Sequence, residues 1–95
     1  MKKAVFRIRK PYFDAIVKGE KTVEYRKFST FWAKHLENAK IAVFICGKQK
    51  HCRQIMRVDQ IQTPSFFSEQ GKKDVSTASC FAIRLGDVWN DDKSM

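Results

Sequence analysis

Between Gly19 and Lys27 the sequence GEKTVEYRK gathers Lys21, Glu24 and Arg26 within six residues, with Thr22, Val23 and Tyr25 among them. Alternate side chains of an extended chain share a face. Thr22, Glu24 and Arg26 therefore stand together, Val23 and Tyr25 stand opposite, and Lys21 lies at the turn just before. A carboxylate, a guanidinium and an ammonium held this way suit nucleotide recognition. Glu accepts from the exocyclic amino groups of a base, while Arg and Lys bind anionic oxygens. The same residues also fit a plain ion-paired surface strand, where such pairs contribute little.

The charge around this stretch favours an anionic partner. Of the 95 residues, 1–57 hold 15 Lys and Arg against 4 Asp and Glu, a net of +11. Residues 58–95 hold 4 against 6, a net of −2. A positive field confined to one part of the chain points to polyanions, nucleic acid first and an anionic membrane surface second. The N-terminus MKKAVFRIRK lacks the apolar run of a signal peptide, and nothing approaches the roughly 20 apolar residues of a membrane span. Cys46, Cys52 and Cys80 form no C-x-x-C pair and leave one thiol over, which suits reduced cysteines in a cytoplasmic protein better than a disulfide framework or a zinc ribbon. No cofactor or metal motif is present.

The elements that must position the charged stretch can be read from periodicity. Residues 4–9 alternate as a strand with Ala4, Phe6 and Ile8 inward. Pro11 opens a short helix over residues 11–18, with Phe13, Ile16 and Val17 at helical spacing and Gly19 as its left-handed stop. Residues 22–27 form a second strand, and residues 28–39 a second short helix capped by Ser29 or Thr30, with Phe31, Trp32 and Leu36 as its apolar stripe. The apolar run 40–47 predicts a central strand. In residues 51–62 the apolar positions change parity, which predicts a strand with a β-bulge. Residues 63–74 read as a turn, a helical piece around Phe66 and Phe67, and a polar loop. Residues 79–89 form a last strand with Phe81, Ile83 and Leu85 on one face, followed by a frayed tail over 90–95. The chain is thus one α+β, mainly β domain: a small barrel of about five strands, mostly antiparallel, with two or three short helices. Closing such a sheet removes exposed edges.

In this setting the string Gly19-x-Lys21-x-x-Glu24-x-Arg26, following a strand and a helix that opens at Lys10-Pro11-Tyr12, resembles the G-x-K-x-x-E-x-R signature of the ASCH domain, a family of the PUA-like superfamily of small β-barrels. The closing segment from Cys80 to Val88 is similar to the last strand of many ASCH proteins, so the resemblance spans nearly the whole chain. It implies a cleft between barrel and helices that takes RNA or a modified nucleotide. Gly19 would match the helix-ending glycine, and Lys21, Glu24 and Arg26 the polar residues facing the cleft. One bacterial branch that this chain resembles hydrolyses the acetyl amide of N4-acetylcytidine with a lysine, a threonine and a more distant glutamate. Lys21 matches that lysine, and Glu24 stands where the threonine nucleophile would be. Thr22 lies two positions away on the same face, and Glu69 is a candidate for the distant glutamate. Another member resembles a ribonuclease that needs no metal, for which Lys21, Glu24 and His51 have suitable chemistry.

Around this centre Arg7, Arg9 and Lys10 extend the positive field, and Tyr12 is a candidate for stacking on a base. Tyr25, Trp32 and Trp89 have the same capacity, although core packing suits the tryptophans better. Lys48, Lys50, His51, Arg53 and Arg57 form a basic loop able to track a phosphate backbone, or a merely solvated one. Three functions remain open: an RNA- or nucleotide-binding module, a hydrolase using Lys21 and Glu24, and a protein-interaction domain.

Overall fold

A computed structural model describes residues 1–62 and 79–90. The segment expected over residues 63–74, with Phe66, Phe67 and Glu69, lies outside the described residues, as does the tail beyond Asn90.

Strand β1 (Lys3–Arg7) leads into helix α1 (Lys10–Lys18), strand β2 (Val23–Lys27), helix α2 (Thr30–Leu36) and strands β3 (Ile41–Cys46), β4 (Gln49–Gln62) and β5 (Ser79–Val88). The strands form one sheet in the order β1-β3-β4-β5-β2, curled into a half-barrel. Three of its four ladders are antiparallel, as the sequence predicts. The β1–β3 ladder is parallel, because the return path through α1, β2 and α2 is long enough for a crossover. Strand β3 is buried on both sides. Ala42 and Phe44 face the main core with Phe6, Phe13, Ile16, Phe81 and Ile83, while Ile41 and Val43 pack beneath Trp89. This accounts for its unbroken apolar run.

The cap chemistry of α1 places the charged stretch. Pro11 occupies the first turn, where no intrahelical N–H is needed, and Gly19 ends the helix at φ 82°. The amides of Glu20 and Lys21 then both donate to Ala15 O, at 2.9 and 3.1 Å, and deliver Lys21 to the start of β2. Val17 is exposed instead of joining Phe13 and Ile16 in the core. Helix α2 is shorter than its apolar pattern suggests. Ser29 caps it by accepting from Trp32 N at 3.1 Å, and the chain leaves at Asn38, which takes a φ of 62°. Lys2 caps the other end, donating to Lys34 O and Glu37 O at 2.7 Å each.

Strand β4 carries register shifts between Arg53 and Ile55 and between Ile55 and Arg57. Ile55, between the two shifts, faces the main core, and after them Val58 does. The change of parity read in the sequence is this bulged stretch, and it turns Arg57 and Asp59 to the outer face.

The two edge strands, β1 and β2, share no ladder; one side chain of β2 and one of α2 meet the backbone of β1 instead. Arg26 Nη2 donates to Arg7 O at 3.4 Å, and Val5 N donates to His35 Nε2 at 3.0 Å. Val5 N and Arg7 O on the open edge of β1 thereby gain partners, which discourages pairing with another chain.

Candidate nucleotide site

Glu24 is the buried charged residue among those described, at 6% exposure. It survives there because two cations hold it. Arg26 bonds Oε2 through both Nε and Nη2 at 2.9 Å, and Lys21 Nζ lies 3.4 Å from Oε1. Lys21 also donates to Val23 O at 2.5 Å. Glu24 and Arg26, grouped by strand alternation, and Lys21 from the preceding turn are thus in direct contact, and the unit carries one net positive charge.

Its floor is aromatic. The Arg26 guanidinium carbon lies 5.0 Å from the Trp32 ring centre and 5.3 Å from that of Phe6, and these two rings stack within 12° of parallel at 5.1 Å. A guanidinium laid on π-faces and gripped at one edge by a carboxylate is fixed in orientation. The bonds to Glu24 and Arg7 use Nε and Nη2 and leave Nη1 out. Lys21 stands at the rim, with its ammonium 5.6 Å from the Tyr25 ring centre.

The other candidates separate into groups. Arg7 joins the unit through its backbone carbonyl. Thr22 is exposed, and its carbonyl accepts from Leu85 N at 2.9 Å. Arg9 precedes α1 as its N-cap, Lys10 pairs with Asp14 at 3.4 Å, and Tyr12 is exposed on the same helix. The basic stretch after β3 is not a loop. Only Gly47 and Lys48 form the turn, with Gly47 at φ 58° as a two-residue hairpin of this kind requires, and Lys50, His51, Arg53 and Arg57 all lie in β4.

Arg53 turns inward. Its guanidinium donates to Ile16 O at 2.9 Å, Gly86 O at 3.1 Å and His51 Nε2 at 3.1 Å, so it fastens the end of α1 to β4 and β5. A cation at a helix C-terminus is favourable in its own right. His51 must be neutral to accept this bond. Partial burial, and then the charge of Arg53, hold its pKa below 6.5. The unfolded chain binds a proton near 6.5 that the folded chain resists, so this contribution to stability is complete above that pH and declines as pH falls through it. The urea midpoint should therefore fall from about pH 7.5 to about pH 5, and His51→Gln, which keeps an acceptor for Arg53, should flatten that fall. An unchanged pH profile in His51→Gln would show that His51 carries none of it.

Two contributors escape sequence reasoning. Phe6 is an ordinary inward strand residue, and nothing in its neighbours marks it as the floor under an arginine 20 positions later. His35 has no local signal for its bond to β1. Elsewhere, an open apolar hollow lined by Ala33, Lys34, Leu36, Glu37, Val58 and Phe81 lies between α2 and the sheet, and no motif side chain lines it. Among the described residues no three His, Cys, Asp or Glu side chains come together as metal ligands, and no helix is long and apolar enough to cross a membrane.

A family model described as the ASCH domain matches residues 6–79, which include the whole charged stretch. No curated protein and no solved structure matches the chain.

Proposed function

Since the chain belongs to the ASCH domain family, we propose that it binds RNA or a modified nucleotide at the Lys21–Glu24–Arg26 unit. The observation that carries this reading is the buried carboxylate of Glu24, which holds the Arg26 guanidinium over the stacked rings of Phe6 and Trp32 and the Lys21 ammonium beside it at the rim. Burying a carboxylate is costly unless it is fully partnered, and an apolar residue would serve a purely structural role at least as well. A charged unit retained at that cost is what a recognition site requires. Arg26 supplies its remaining N–H groups, and Lys21 its remaining donor, to phosphate or base carbonyl oxygens. The roles of Arg7, Arg9 and Lys10 are to raise the local positive potential. Tyr12 offers a ring for stacking near the start of α1.

Binding is preferred to hydrolysis on the same geometry. Glu24 stands where the amide-hydrolysing branch keeps its threonine nucleophile, and both its oxygens already face cations. It is fitted to orient Lys21 and Arg26 and not to attack or to shuttle a proton.

The test is a salt titration of binding to short single-stranded RNA. With three to five phosphate contacts, affinity should fall about 20- to 100-fold between about 50 and 200 mM salt. Lys21→Ala should weaken binding about tenfold at the lower salt while the protein stays folded, a loss expected of a desolvated charge-assisted contact. Absence of binding at low salt, or affinity indifferent to Lys21→Ala and Arg26→Lys alike, would reject the reading.

A further inference from the structure

We propose that the bound nucleic acid is a strand and not a free nucleotide, and that its backbone runs from the motif round the start of β2 to a second anion site formed by Arg57 and Arg84. This rests on the RNA reading above and adds a surface to it.

The bulge in β4 turns Arg57 outward, directly opposite Arg84 of β5 in the register. Like charges facing each other across a ladder repel. Asp59 offsets this through a single oxygen, Oδ2, which accepts from Arg84 Nε at 2.8 Å and from Arg57 Nε at 3.0 Å. These bonds hold the Asp59 carboxyl below its ordinary pKa. One carboxylate cannot neutralise two guanidiniums, so the cluster keeps a net positive charge. Both bonds engage Nε and leave the terminal amino groups out, on side chains that are 67% and 42% exposed. Two guanidiniums pinned by one acid are oriented ahead of any ligand, which is the preorganisation a phosphate oxygen needs.

The cluster is continuous with the motif. Arg84 pairs directly with Val23, the first residue of β2. Lys21, two residues before, touches Glu24 on the inner face and lies over the Tyr25 ring, which shares the outer face with Arg84. Lys21 therefore marks the point at which a backbone could pass from one face to the other. From β2 across β5 to β4 is about 10 Å at ordinary strand spacing, within reach of nucleotides flanking one held at the motif.

The experiment compares binding of a mononucleotide set (AMP, CMP, GMP and UMP) with that of mixed-sequence single-stranded RNA of about eight nucleotides, a typical single-domain site size. For Arg57→Gln with Arg84→Gln, oligonucleotide affinity should fall at least fivefold and the salt slope should lessen by about 1.4, the value for two phosphate contacts to a single strand. Mononucleotide affinity should not change. Asp59→Asn removes one negative charge and both ion pairs but keeps an oxygen to accept from the two Nε–H groups, so it should tighten oligonucleotide binding about threefold, a gain that a structural role would not produce. Unchanged oligonucleotide affinity and slope in the double variant, or a parallel loss with mononucleotides, would overturn the proposal. Oligonucleotide binding that survives Lys21→Ala but falls in the double variant would reject the motif reading and keep the outer site. The opposite pattern would reject the outer site and keep the motif, and failure of the wild type to bind RNA at low salt would reject both.

Discussion

Glu24→Ala should melt about 15 °C below the wild type, an effect of about 2–4 kcal/mol in a domain of this size. Glu24 is enclosed, and its removal leaves Arg26 over the Phe6 and Trp32 rings and Lys21 at the rim with no counter-charge. Breaking one partner out of a buried ionic group costs more than removing the group entirely. Adding Arg26→Met to Glu24→Ala should accordingly recover part of the lost stability, since methionine can lie along the same rings without a stranded charge. RNA binding should not recover. Thermal melts of the three proteins decide this: a Glu24→Ala midpoint within about 2 °C of the wild type would mean that the carboxylate does not organise the site.

The second large effect concerns Arg53, which looks from its charge like a phosphate contact. Arg53→Ala should lower stability by about 2–4 kcal/mol, because it strands the Ile16 and Gly86 carbonyls and loosens the end of α1. Lys48→Ala, at the exposed hairpin turn, should change stability by less than about 0.5 kcal/mol. Urea unfolding of the two variants measures both values. If Arg53→Ala were as stable as Lys48→Ala, the three inward bonds would contribute nothing and Arg53 would be available for a ligand after all. Because α1 ends at Gly19 and hands the chain directly to Lys21, Arg53→Ala should also weaken RNA binding, but only as far as the helix end is loosened.

What could be read in the sequence follows the range of the interactions concerned. Helix α1 is legible because its signals are local: Pro11 and Gly19 act on their own turns. Strand β3 is legible because burial on both faces leaves no polar position. The bulge in β4 shows because a parity change in apolar residues has few other causes. Alternation also grouped Glu24 with Arg26. It did not reveal depth. The Val23 and Tyr25 face looks the more apolar in the sequence, yet Glu24 is the more buried, because Phe6 and Trp32 reach it from other elements. Arg53 misleads for the same reason: the carbonyls that orient it belong to residues more than 30 positions away on either side. The parallel β1–β3 ladder and the His35 bond to Val5 are likewise contacts between remote segments, which composition and periodicity do not encode.

Recognition at the motif requires the ligand to meet the Arg26 guanidinium where it lies on Trp32 and Phe6. NMR titration with short single-stranded RNA at low salt tests it most directly, followed through the Arg26 Nε–H and Trp32 indole N–H resonances. These two signals should shift progressively and saturate together with the amides of Lys21 to Arg26. Saturation in which they stay fixed, while only the Gly47–Lys48 hairpin or the exposed face of α1 responds, would contradict it.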